Sequence, residues 1–359
     1  MAEDKVITLT PHAAKEIQKA WEHFVAGEET PLLERVRPAI RESWRRSRQA
    51  GVSAHTRQLP TILTPDQLDQ RYQQNALLLD AGDEAITRLS QKLAIGDFFA
   101  SVIDKEGIVL HVFSLLQSRE KLMHVNLCPG AGTHEHHIGT NGSAMALHLD
   151  SPYVMNGAEH YAEFAHLWSG GSVPVHSVCS EILGVFGIGI PQRESPAQTL
   201  DLLTSVAQFI EQRIRQFEEL AHFEVLKKFN QCLLKFPESP LLALCPHGRI
   251  LALSQSLAKL IGGPAPERLI GRSLHEVRDL HCEELFRTTE GDVSEPYEAR
   301  LRFLHKEKSC ASTVIPISKE GQSAGLVIIA SGLQTAAKPI TKPVWQTTHT
   351  FSDLIGTAP

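Results

Sequence analysis

No stretch of the sequence reaches the roughly 18 to 20 consecutive apolar residues that a membrane-spanning helix needs, which excludes a helical membrane protein. The N-terminal segment MAEDKVITLTPHAAKEI has no apolar core of signal-peptide type, so a cytoplasmic location and no membrane partner are expected. The six cysteines, Cys128, Cys179, Cys232, Cys245, Cys282 and Cys310, form no CxxC pair. Such scattered usage fits free thiols in a reducing compartment and argues against a disulfide framework or a zinc ribbon. There is no excess of positive charge: the formal net charge is −6, which speaks against wholesale nucleic-acid binding. Also missing are a GxSxG elbow, a Walker loop and a paired-glycine dinucleotide fingerprint. GVFGIG (Gly184 to Gly189) reads as a strand carrying glycines, not as a strand-to-helix phosphate loop.

The 359 residues suit two domains, and 42% hydrophobic with 21% charged residues is the balance of a globular chain with real cores. The first eighty residues (1–80) read as helices. In RPAIRESWRRSRQAG (Arg37 to Gly51), Ile40 and Trp44 stand at helical spacing among five arginines, and Gly51 closes the segment. A packed helix with a solvated basic face accounts for this pattern; a helix contacting DNA or a partner is the sharper alternative.

From Phe98 the pattern changes. FFASVI, the turn DKEG and IVLHVFS form a hairpin, and SVPVHS (Ser172 to Ser177) with EILGVFGIGIP (Glu181 to Pro191) form a second β pair. Hairpins in place of crossovers predict an α+β domain around an antiparallel sheet. Between Gln198 and Lys235 there is no glycine or proline, while Leu203, Val206, Ile210, Ile214, Phe217, Ala221, Val225 and Phe229 recur at steps of three or four. Such a helix reaches on the order of 50 Å. Its first half serves to close the first domain, and its second half is expected to pair as a dimeric coiled-coil connector, because an exposed apolar stripe needs a partner. After FPESP, PLLALC, PHGR and ILALS make a hairpin, SQSLAKLIG a short helix, and CASTVIPIS, KEGQS and AGLVIIAS a closing hairpin. The two units thus share a hairpin–helices–hairpin plan. Beyond Gly332 the chain turns polar and proline-bearing, as a linker does.

GTHEHHIGTNG (Gly132 to Gly142) is a metal candidate: His134 and His137 share a face on a helix, and imidazoles suit zinc, copper or iron. Against it, HEHH is not HExxH and no second half-site stands at ligand spacing. Nine of the eighteen histidines lie between His111 and His176, so the enrichment is diffuse. Thr140 or Asn141 is placed to cap the helix SAMALHL, whose N-terminus could equally be a bare structural cap or face a polar ligand. Glu159, His160, His166 and Trp168 combine titratable and aromatic groups beside a glycine pair. They could line a small-molecule pocket, or Glu159 and His160 could serve a hydrolase as acid and base.

SWRRSRQAGV, PGAGTHEHHIGTNGSAMAL and NGAEHYAEFAHLWSGGSVPVHSVCSEILGVFGI, in that order, resemble the N-terminal sensory region of sigma-54-dependent transcriptional activators of the acetoin-regulator type. In that family a Ser-Trp-x-Arg helix precedes a GAF domain. The matching positions are Ser43, Trp44 and Arg46, then Gly130, Ala131 and Glu135, then Ile138 to Asn141, Ala158 to His160, His166 with Trp168, and Pro174. The unit from Ser239 to Ser331 resembles a PAS domain, with RLIGRSLHEV as its closest echo, although Ser254 stands where asparagine is common. No reactive-cysteine flavin motif accompanies it. FSDLIGTAP looks like the opening of the family's AAA+ ATPase, so a truncated chain is expected. Two departures concern the pocket: Gly170 stands where the family often has cysteine, and Thr133-His134 where it tends to have Trp-Ser.

The resemblance implies an α+β chain: N-terminal helices (1–80), a GAF-like sensory domain (81–215), a connector helix (198–236), a PAS-like domain (239–331) and a linker with the first ATPase residues (332–359). It implies a non-enzymatic sensor that binds a small organic effector and no cofactor. Its expected partners are a second copy through the connector and PAS domain, its own AAA+ domain and, through that, sigma-54 RNA polymerase and enhancer DNA. Glu135, Ile138, Thr140, Asn141, Glu159, His160, His166, Trp168, Phe98 and Phe99 are the expected effector-binding or pocket-shaping residues. A metal or gas sensor using His134, His136 and His137 is the alternative, and a hydrolase the third reading.

Overall fold

The computed structural model describes residues 10–92, 98–114, 116–178, 180–191, 199–261, 266–277, 280–282, 295–303, 308–319 and 322–335. Cys179 and residues 336–359, with the expected ATPase opening, lie outside that set. By contacts the chain divides into two compact units, residues 1–216 and 217–359. No helix among the described residues is long and apolar enough to cross a membrane.

In the first unit, helix α1 (Pro11–Ala26) starts at Thr10, whose hydroxyl accepts from Ala13 N, and ends at Gly27 with φ 79°. After a 3₁₀ turn at Pro31–Arg35 comes α2 (Pro38–Gln49). Its Ile40 and Trp44 are buried with Ile17, Trp21 and Phe24 of α1 against Met145, Tyr153 and Met155. α3 (Pro65–Gln74) opens with a Thr64/Gln67 capping box and leads into α4 (Ala76–Lys92). Strands β1 (Phe99–Asp104) and β2 (Val109–Ser114) form the expected hairpin. Asp104 holds its turn by accepting from Glu106 N at 3.0 Å and Ile108 N at 2.8 Å.

α5 (Leu116–His124), α6 (Glu135–Ile138) and α7 (Gly142–Leu149) precede β3 (Tyr153–Asn156), β4 (Trp168–His176) and β5 (Ile182–Pro191). The sheet runs β2-β1-β5-β4-β3, antiparallel throughout. β3 has no counterpart in the sequence reading, and β4 starts at Trp168, four residues before the expected Ser172. Gly170 and Gly171 read locally as a turn, but pairing to Gly189 and Ile188 holds them extended; tertiary context overrides the weak strand preference of glycine.

Alternation along the strands gives the sheet two different faces. Ala100, Val102, Val173, Val175 and Phe186 lie in one core with Leu78, Ala81 and Ala85 of α4 and Leu203, Val206, Ile210 and Ile214 of the next helix, α8 (Thr199–Lys235). The other face carries Phe99, Ser101 and Ile103 of β1 beside Gly189, Gly187 and Val185 of β5.

The second unit begins within α8. Ala221, Val225, Phe229 and Cys232 pack on Leu241, Ala243, Ile315, Ala324 and Val327. This corrects the expectation for the apolar stripe: from Ala221 to Phe229 it finds its partner inside its own unit. Leu220, Phe223 and Leu234 are the large apolar side chains left exposed in this half of the helix. β6 (Leu241–Leu244), β7 (Ile250–Leu253), α9 (Gln255–Ile261), β8 (Leu280–Cys282), β9 (Tyr297–Phe303), β10 (Lys308–Lys319) and β11 (Gln322–Thr335) complete it. The sheet order is β7-β6-β11-β10-β9-β8, with β8 and β9 additional to the expected strands. Leu242 and Leu244 face a second core with Ile250, Leu257, Ile261, Val314 and Ile328. Ser254 at the start of α9 accepts from Leu241 N at 2.9 Å and Leu257 N at 3.3 Å.

In each unit the last strand inserts beside the first, and the first hairpin forms one edge of the sheet. Both are therefore α+β around an antiparallel sheet, the first GAF-like and the second PAS-like.

Candidate functional site

Two acidic residues expected at the pocket turn out to hold α2 in place. Glu159 accepts from Arg37 Nε at 2.8 Å and Nη2 at 2.9 Å, and from Asn156 N at 2.9 Å. The pair is buried, with side-chain exposures of 5% for Arg37 and 1% for Glu159. Arg37 also donates to Val154 O at 2.7 Å and lies over the Tyr153 ring. Trp44 Nε1 donates to Glu159 O at 2.9 Å. Glu135 receives two hydrogen bonds of 2.9 Å from Arg46 and a third from Ser43 Oγ. Thr140 is hydrogen-bonded to Ser43 Oγ at 2.7 Å. Two of the five arginines of α2 and its N-terminus are thus engaged with carboxylates outside the helix, which corrects the picture of a purely solvated basic face. Bidentate guanidinium–carboxylate pairs supply the directional bonds that a buried charge requires.

The face of the sheet opposite α4 and α8 carries a cavity of about 120 Å³. Its walls come from Phe99, Ile103, Leu122, Ile138, Met155, Phe164 and Trp168, and its polar groups from Ser101, Ser143, Ser172, Asn141, Thr133 and His160. Phe99 and Trp168 meet edge to face with ring centroids 5.1 Å apart. The floor is bare because glycines occupy it. A Cβ on Gly187 would come within 2.9 Å of Ser101 Oγ and 3.0 Å of Ser172 Oγ, and one on Gly189 within 2.1 Å of the Phe99 ring. Gly170 lies on the same floor, and a Cβ there would meet Ile188 O at 2.1 Å, so a cysteine has no room at this position.

Of the expected site residues, Ile138, Asn141, His160, Trp168 and Phe99 line this cavity. Asn141 caps α7 through Ala144 N at 3.0 Å and donates to Thr133 O and Gly139 O, which settles the cap on Asn141 over Thr140. Phe98 points to the opposite core beside Phe113. His166 donates from Nε2 to His160 O at 3.1 Å and stands edge-on to Trp21 at 4.6 Å. Glu135, Thr140 and Glu159 are committed to the α2 clamp. Leu122, Met155 and the three serines had no signal of their own; period-2 alternation from Phe99 through Ser101 to Ile103 was the cue available for β1.

His160 and His166 are both held below the ordinary histidine range by burial, His160 to about 4. His160 Nδ1 lies 2.9 Å from Gly157 O. Among the described residues no hydrogen bond joins Glu159 to His160, so the acid–base couple of the hydrolase reading is not assembled. His134, His136 and His137 pack ring against ring, with centroids 4.1 Å apart from 134 to 136 and from 136 to 137. His134 Nδ1 accepts from His136 N, while His137 Nδ1 is buried with no partner among the described residues. Burial, followed by the neighbouring imidazoles, holds both His134 and His137 below the ordinary range. Among the described residues no group of three or more His, Cys, Asp or Glu is arranged to hold a metal ion.

Residues 13–212, spanning the α2 clamp and the cavity, match the family described as "MimR, N-terminal domain". The chain belongs to this family. It is 27% identical over 214 residues to the acetoin dehydrogenase operon transcriptional activator AcoR of Bacillus subtilis, a match covering 59% of this chain and 35% of that one. To the propane 2-monooxygenase operon transcriptional activator MimR of Mycolicibacterium goodii it is 26% identical over 223 residues, 61% of this chain and 37% of that one. The MimR N-terminal domain is thus shared here with transcriptional activators, of whose length the match spans little more than a third. In fold the chain is similar to the crystal structure of the E. coli DhaR(N)–DhaL complex, with a TM-score of 0.53, 16% identity, and coverage of 82% of this chain and 99% of that one.

Proposed function

We propose that the chain is the effector-sensing region of a sigma-54-dependent transcriptional activator. A small organic effector binds in the GAF-like unit's cavity, and α8 and the PAS-like unit carry the signal to an AAA+ ATPase elsewhere in the full-length protein. The activator works in the cytoplasm as a homodimer and acts on sigma-54 RNA polymerase from enhancer DNA. The chain itself is a regulator and not an enzyme.

The observation that carries this reading is the placement of the cavity. It lies within the family-matched residues, on the face of a single sheet whose reverse packs against the first half of α8. An effector that prefers one arrangement of that sheet biases the helix by population shift. Moving a balance from 1:99 to 99:1 takes about 5.5 kcal/mol of differential binding.

The test combines native mass spectrometry of the purified chain with a promoter reporter driven by the full-length protein. Wild-type protein is expected to retain a small molecule and to respond to it; Trp168→Ala should lose both while circular dichroism stays native. A folded Trp168→Ala protein with an unchanged response overturns the reading.

A further inference from the structure

We infer that the cavity of the first unit takes a small uncharged molecule with a hydroxyl group, and that this hydroxyl donates to Nε2 of His160. The inference rests on the effector reading above and adds the chemical class of the ligand.

Three observations carry it. The first is charge: among the described residues lining the cavity there is no Asp, Glu, Lys or Arg. A carboxylate or ammonium ligand would leave water without a counter-charge, at a cost of several kcal/mol. The second is size. A cavity of about 120 Å³ compares with the roughly 150 Å³ apolar cavity that holds benzene in an engineered protein. Phe99, Phe164 and Trp168 offer edges and faces to a flat or compact apolar body.

The third observation is the state of His160. Its Nδ1 is 2.9 Å from Gly157 O, and a carbonyl only accepts, so Nδ1 carries the proton. Burial keeps the ring neutral at physiological pH, which makes Nε2 a bare acceptor. Among the described residues nothing donates to Nε2, although the ring lines the cavity. With Nδ1 turned back to its own 3₁₀ turn, Nε2 lies on the opposite edge of the ring, and we assign that edge to the ligand. An acceptor so placed favours a ligand with an O–H over an equal-sized one without it. The hydroxyls of Ser143 and Ser172, 3.3 Å apart, with Ser101 beside Gly187, can rotate to receive or give a second bond.

Phenol and toluene test this directly, because they differ in O–H against CH₃ at nearly equal shape. Isothermal titration of the whole chain is expected to show phenol binding at least tenfold tighter than toluene. In His160→Leu the preference should vanish, phenol weakening while toluene holds. Equal affinities in the wild type, or a preference that survives in His160→Leu, would overturn the hydroxyl assignment but leave the cavity a ligand site. Binding of neither probe would overturn this ligand assignment, while the effector reading still stands or falls on the retained small molecule and the reporter response. Should His160→Leu fail to fold, His160→Phe, which also removes the acceptor nitrogen, takes its place in the comparison.

Discussion

Arg37 and Glu159 are 122 residues apart in sequence, yet their side chains meet in two hydrogen bonds of 2.8 and 2.9 Å with almost no access to solvent. Removing the cation leaves a carboxylate buried without its counter-charge. Arg37→Ala is therefore expected to lower the unfolding free energy by about 3–5 kcal/mol, measured by urea denaturation. Adding Glu159→Gln should recover part of that loss, since it removes the stranded charge. A single variant as stable as wild type would show that the Arg37–Glu159 pair adds nothing to the docking of α2.

The bare floor of the cavity is open to test at Gly187, where a Cβ would sit 2.9–3.0 Å from two serine hydroxyls. Gly187→Ala is expected to weaken toluene binding at least tenfold and to cost about 1–3 kcal/mol of stability through overpacking. Unchanged titration curves would show that this part of the floor does not touch a ligand.

His176 carries a pH signature. Burial lowers its pKa, but hydrogen bonds and charge from Glu211 and Asp150 together outweigh it, leaving a net rise above the ordinary histidine value. A raised folded pKa contributes stability that is fully present below the unfolded value and is lost as pH rises through the folded one. The stability difference between wild type and His176→Asn should accordingly be larger at pH 6 than at pH 9. Denaturation midpoints that differ equally at both pH values would show that folding does not raise the pKa of His176.

Leu220 and Phe223, 53% and 62% exposed, stand three residues apart on α8. They lie on one face of the helix. Under the homodimer proposal, Leu220→Glu with Phe223→Glu should turn a dimer into a monomer in sedimentation velocity, because a paired apolar face cannot hold opposed charges. A dimer that persists would place the pairing surface elsewhere.

The legibility of this chain in its sequence followed the range of the interactions. Both closing hairpins and the long helix are local patterns, and they stood out as apolar periods between turn residues. β3 and the first four residues of β4 did not, because what holds Gly170 and Gly171 extended is a neighbouring strand. The site divided in the same way. Trp168, Phe99, Asn141 and His160, expected at a pocket, line the cavity. Glu135 and Glu159 carry the same family pattern, yet their partners are Arg46 and Arg37, brought close only when α2 docks. Spacing along the chain cannot tell a carboxylate that meets a ligand from one that meets a distant arginine.

The alternation of β5 also has a genetic consequence. Gly187 faces the cavity, while its neighbour Phe186 is buried in the core that includes Leu203, Val206 and Ile210 of α8. One peptide unit thus separates the side that opens on the cavity from the side the helix touches. Under the effector proposal, variants that switch the full-length protein on without any ligand should therefore arise at Phe186 as readily as around the cavity, and a screen confined to cavity residues would overlook them.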